Sequence, residues 1–117
     1  MQKLIVKQPT TKAESTPNLT ITPTIDQYLI SQAKNFLKGK HLGGDYTYGS
    51  VSDLVRRSLE LYQQQKLVLT TTRNLTNPRQ KVAFYLTPPL ATYYRNLPQR
   101  HRTEILERCL ASFLVNI

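Results

Sequence analysis

Apolar and polar residues alternate strictly over NLTITPTI, residues 18 to 25, with Leu19, Ile21, Pro23 and Ile25 on one side and Thr20, Thr22 and Thr24 on the other. A period of two predicts a strand with one apolar face and one threonine face. Pro23 has no N–H to give a ladder, so this strand should be short or have an edge facing away. The period then lengthens. Asp26 is placed to N-cap a helix whose stripe is Leu29, Ile30, Ala33, Phe36 and Leu37, and Gly39 is expected to end it. A loop with Gly43, Gly44 and Gly49 carries Tyr46 and Tyr48. Ser50 opens a second helix with Asp53 three residues on, as in a capping box. Its face of Val51, Leu54, Val55, Leu59 and Tyr62 reads as core, and residues 63 to 80 read as a linker.

The pattern then restarts. In KVAFYL, residues 81 to 86, Val82, Phe84 and Leu86 alternate with Lys81, Ala83 and Tyr85. Thr87 and Pro88 suit a helix start, Leu90, Tyr93, Tyr94 and Leu97 form the stripe, and Pro98 stops it. The segment HRTEILERCLASF, residues 101 to 113, then repeats SVSDLVRRSLELY, residues 50 to 62, at an offset of 51. Ser52, Asp53, Leu54, Val55, Arg57 and Leu59 fall on Thr103, Glu104, Ile105, Leu106, Arg108 and Leu110. The strands repeat at an offset of 61, the difference being the longer loop of the first copy. The order is strand, helix, helix, twice. A repeated unit is usually one that cannot bury its apolar face alone. Residues 1 to 17 are expected as a flexible basic arm, and 18 to 117 as one domain of two repeats, 18 to 66 and 80 to 117, joined by the linker.

Charge narrows the partner. Lys and Arg outnumber Asp and Glu 16 to 7, for a formal charge of +9, which favours a polyanion, nucleic acid first. Cys109 is the single cysteine, so no internal disulfide forms and a zinc site lacks ligands. It takes the repeat position of Ser58 and reads as a buried thiol. The start MQKLIVKQP has too short an apolar run for a signal peptide, and nothing approaches a membrane span. A cytoplasmic, intracellular protein without a membrane partner is expected. His41, on a loop, and His101, at a helix start, have no carboxylate or nucleophile at catalytic spacing. No enzyme activity, catalytic residue, metal, cofactor or small-molecule ligand is expected.

TPTIDQYLI with SVSDLVRRSLELY, and again VAFYLTPPLATYYRNLPQRHRTEILERCL, resemble the ribbon-helix-helix family, which includes the Arc and methionine repressors. The resemblance covers about residues 18 to 62 and 81 to 114. It implies a mainly α fold with a two-stranded antiparallel β-ribbon over four helices, here a tandem pseudo-dimer within one chain. In that family the ribbon enters the major groove of double-stranded DNA. The base-reading residues would be Thr20, Thr22, Thr24, Lys81, Ala83 and Tyr85. A ribbon centred on Thr22 and Ala83 sets Thr20 near Tyr85 and Thr24 near Lys81. Phosphates would sit on the free amides and side chains of Ser50, Val51 and Ser52, and of Arg100, His101, Arg102 and Thr103. His101 stands where the first copy has Ser50, which weakens the capping box and adds charge. Arg56 and Arg57 read as solvated and outside the site.

The function implied is a sequence-specific transcriptional regulator, a repressor, of prokaryotic, plasmid or viral origin, with self-association on longer operators. The alternatives are an antitoxin or a plasmid copy-number or partition protein. The few residues beyond the last stripe count against the toxin-binding extension of an antitoxin. A protein-interaction module that does not bind DNA is the rival of another class.

Overall fold

The computed structural model describes residues 19–70 and 75–116; the expected basic arm lies outside them, as do residues 18, 71–74 and 117. The described residues form four helices and two small two-stranded antiparallel sheets. In chain order the elements are β1 (Leu19–Ile21), β2 (Thr24–Asp26), α1 (Gln27–Leu42), α2 (Val51–Gln63), β3 (Arg79–Lys81), β4 (Phe84–Leu86), α3 (Pro88–Asn96) and α4 (Arg102–Asn116).

Strand β1 pairs with β4 through Leu19↔Leu86, Thr20↔Tyr85 and Ile21↔Phe84, and β2 pairs with β3 through Thr24↔Lys81, Ile25↔Gln80 and Asp26↔Arg79. Both sheets hold one register, because the step from Ile21↔Phe84 to Thr24↔Lys81 is three residues on each side. What divides them is Pro23. The Val82 N–H donates to the Pro23 carbonyl at 3.0 Å. A hydrogen-bonded antiparallel pair exchanges two such bonds, and proline has no N–H for the second. The expected single strand of residues 18 to 25 is therefore two three-residue strands. The expected strand of residues 81 to 86 is likewise two, Arg79–Lys81 and Phe84–Leu86, and starts two residues before the alternation was legible, since Asp26 and Ile25 supply partners for Arg79 and Gln80.

Asp26 caps α1, its Oδ1 accepting the N–H groups of Tyr28 at 2.8 Å and Leu29 at 3.4 Å. The helix does not stop at Gly39. It runs to Leu42, and Gly43 donates its N–H to the carbonyls of Gly39 and Lys40. Gly44 takes the left-handed turn at φ 86°, which only glycine adopts readily, so the helix ends where that residue stands. His41 consequently lies within the last turn of α1 rather than on a loop.

Ser50 adopts an extended backbone and accepts the Asp53 N–H at 3.3 Å, while Asp53 Oδ2 accepts the N–H of Gly49 at 2.7 Å rather than that of Ser50. In the second copy the chain turns at Pro98, whose carbonyl accepts the N–H groups of His101 and Arg102, both at 2.9 Å, and α4 begins at Arg102. The start of the segment between the copies is strapped to the core: Leu67 and Leu69 pack on it, and Thr70 N–H donates to Ser112 Oγ at 3.0 Å.

Helices α2 and α4 pack on each other beneath the strands. Leu54, Leu59, Leu106 and Leu110 are fully buried there, with Ile25, Phe84 and Leu86 closing the core from above. Each such side chain contributes about 1.5–3 kcal/mol of hydrophobic stabilisation. Because each copy supplies strands and helices to this one core, neither half has a core of its own. Cys109 is fully buried, and burial pushes its thiol up to about 12. No helix among the described residues is long and apolar enough to cross a membrane.

Candidate nucleic-acid interface

Alternation decides which strand side chains face out. Ile21, Pro23, Ile25, Phe84 and Leu86 are buried, whereas Thr20, Thr22, Thr24, Lys81, Ala83 and Tyr85 are all exposed. These six share one face, with Thr20 opposite Tyr85 and Thr24 opposite Lys81, the register read from the sequence. Thr22 and Ala83 fall opposite each other in the gap that Pro23 leaves.

The helix starts flank this face unequally. At α2, Ser50 is exposed and Val51 half-buried. Their amides belong to the first turn, where no intrahelical acceptor exists. Ser52 is buried, and its Oγ accepts the Tyr85 N–H at 3.1 Å. Its oxygen thus serves the strand edge, and burial rather than this bond sets its hydroxyl proton apart from the exposed surface. One turn on, Arg56 donates to the Tyr85 carbonyl at 2.6 Å and pairs with Asp53. Arg56 is therefore not an idle solvated arginine. The signal for it was its spacing, since positions four apart on a helix reach the same strand residue.

At α4 the expected free amides of His101 and Arg102 are already spent on Pro98. What remains there is the Thr103 amide and side-chain chemistry. Arg100 and His101 are exposed, the Arg102 guanidinium lies 5.8 Å from the Tyr94 ring centroid, and Thr103 stands half-buried beside Tyr94 in the same groove. Burial raises the Tyr94 phenol, and Thr103 and the Arg102 charge oppose that rise. Thr20, Thr22, Arg95, Arg102 and Thr103 line one groove of about 470 Å³ between the strands and α4. Strand residues and helix-start residues of different repeats thus meet on one surface.

The charge is distributed to match. Asp26, Asp45, Asp53, Glu60, Glu104 and Glu107 each bind an N–H, a hydroxyl or a cation within the fold. Lys34, Lys38, Lys66, Lys81, Arg95 and Arg100 form no ion pair among the described residues. Among the described residues the unpaired charges are therefore mostly cationic. The described residues contain no group of three or more His, Cys, Asp or Glu that could hold a metal ion. No family model, curated protein or solved structure matches this chain.

Proposed function

We propose that this chain is a sequence-specific double-stranded DNA-binding transcriptional regulator, acting as a repressor, with the architecture of a tandem ribbon-helix-helix pseudo-dimer closed within one chain. The observation that carries this reading is the face formed by Thr20, Thr22 and Thr24 in register with Tyr85, Ala83 and Lys81, exposed above helices drawn from both repeats. A major groove about 12 Å wide admits a two-stranded ribbon. Threonine hydroxyls donate to and accept from base edges, and their methyls meet thymine methyls. Lys81 donates to guanine O6 and N7, while Tyr85 offers a ring and a hydroxyl. Ser50 and Val51 at one flank, with Arg100 and Arg102 at the other, hold the sugar–phosphate backbone and set the register of reading. The two strands differ, so the element beneath one ribbon is non-palindromic, since operator symmetry follows protein symmetry. Two chains side by side on a longer operator would be the route to self-association.

Gel-shift titration on random-sequence duplex at two salt concentrations tests the class. About five neutralised phosphates give a slope of log K against log salt of roughly −4 to −5. A slope near zero removes DNA from the account and leaves the protein-interaction module.

A further inference from the structure

Of the six exposed strand residues, Tyr85 is held differently from the rest. Its pair with Thr20 leaves its main-chain N–H and C=O pointing away from β1, toward α2. Ser52 Oγ takes the N–H at 3.1 Å and Arg56 takes the C=O at 2.6 Å. Both anchors are themselves fixed. Ser52 is buried, and Arg56 is paired with Asp53, whose other oxygen binds the Gly49 N–H. The repeat equivalent of Tyr85 is Thr24, and there the clamp is missing. Thr103, in the place of Ser52, makes no hydrogen bond to the Thr24 main chain among the described residues, and Glu107, in the place of Arg56, binds the Asp26 N–H instead. Thr24 has only its carbonyl engaged, by Arg79 at 3.3 Å.

We propose that Ser52 and Arg56 are specificity-determining positioning residues, fixing the Tyr85 main chain so that its half-exposed side chain discriminates base pairs more sharply than Thr24 does. The inference rests on the DNA-binding reading and deepens it. A side chain on a fixed backbone has fewer ways to relax around a wrong base, so the mismatch keeps its full penalty.

Sequences selected from random duplexes by the wild-type chain and by Tyr85→Ala first define the base pairs that Tyr85 reads. Ser52→Ala and Arg56→Met are then selected in the same way, with salt slope and melting temperature measured beside them. Both variants should keep the salt slope and the preference on the Lys81 side. Beneath Tyr85, a preference of about fivefold or more for the best base should fall to about twofold or less. Ser52→Thr, which keeps the hydroxyl, should retain it. A merely structural role would lower melting temperature and affinity for all sequences alike. Preference beneath Tyr85 that survives in the variants, or is lost evenly along the element, overturns the inference. If Ser52→Ala does not fold, Arg56→Met decides, because it keeps the aliphatic stem and removes only the donor. A wild-type chain that binds no duplex overturns the DNA-binding reading, and the inference with it.

Discussion

Arg56 of α2 and Glu107 of α4 occupy the same position of the repeated helix, carry opposite charges and hold opposite ends of the paired strands. The guanidinium of Arg56 donates to a strand carbonyl, that of Tyr85. The carboxylate of Glu107 accepts a strand N–H, that of Asp26 at 2.7 Å. Each end of a short ribbon exposes outward main-chain groups, and a buried group left unpaired costs about 1–3 kcal/mol. What the repeat retains is the position that meets this need. The sign of the charge selects which main-chain group is met. Burial sets the rest: Arg56 is partly exposed and pairs with Asp53 on its own helix, whereas buried Glu107 requires a partner from the strands, Arg79 at 2.7 Å.

That contrast predicts unequal costs at equivalent positions. Glu107→Ala strands Arg79 and the Asp26 N–H together, and should destabilise the fold by about 3–5 kcal/mol in urea unfolding. A loss near zero would show that this end of the ribbon does not depend on the carboxylate. The apolar equivalents Leu59 and Leu110, both fully buried, should instead behave alike. Truncating either to Ala should cost about 3 kcal/mol, within the range for buried leucines. Values that differ several-fold would mean that the two repeats do not share one core.

The helix starts give a smaller difference. Ser50→Ala removes the acceptor of the Asp53 N–H and should cost about 1 kcal/mol. His101→Ala should stay within about 0.5 kcal/mol, since the first amides of that turn are held by the Pro98 carbonyl and not by the imidazole. Equal losses at the two positions would assign His101 a capping role.

A pH dependence separates Cys109 from its equivalent Ser58. Ser58 satisfies its buried hydroxyl on the Val55 carbonyl at 2.9 Å, whereas the Cys109 thiol is held protonated by burial, its pKa rising from 9.0 to about 12. Above pH 9 the unfolded chain loses this proton and the folded chain keeps it. The unfolded state then binds fewer protons, so stability falls as pH rises between pH 9 and about 12. Cys109→Ala should flatten that decline but not abolish it, because burial also raises Tyr93 and Tyr94. An unchanged slope in the variant would show that the thiol is not held from ionising.

Local pattern alone determined a good deal of this protein. Alternation placed the exposed threonines and the Lys81, Ala83, Tyr85 triplet on their face, because side-chain direction in a strand has a period of two whatever the surroundings. The helical stripes located Leu54, Leu59, Leu106 and Leu110 in the core, and the Asp26 and Ser50 caps marked two helix starts. The register between strands that lie far apart in the chain, expected from the antiparallel ribbon that the family resemblance implies, is the one observed. Tertiary structure decided the rest. Gly39 looked like a helix stop, but a helix ends where the backbone can take the left-handed turn that follows, and Gly44 does so. Ser52 and the amides of His101 and Arg102 looked free because their acceptors and donors, the Tyr85 N–H and the Pro98 carbonyl, are set by how the chain closes. Arg56 looked idle for the same reason. Side-chain direction is a property of a few adjacent residues, whereas hydrogen-bond partnership depends on what the fold brings within about 3 Å, and no local period carries that information.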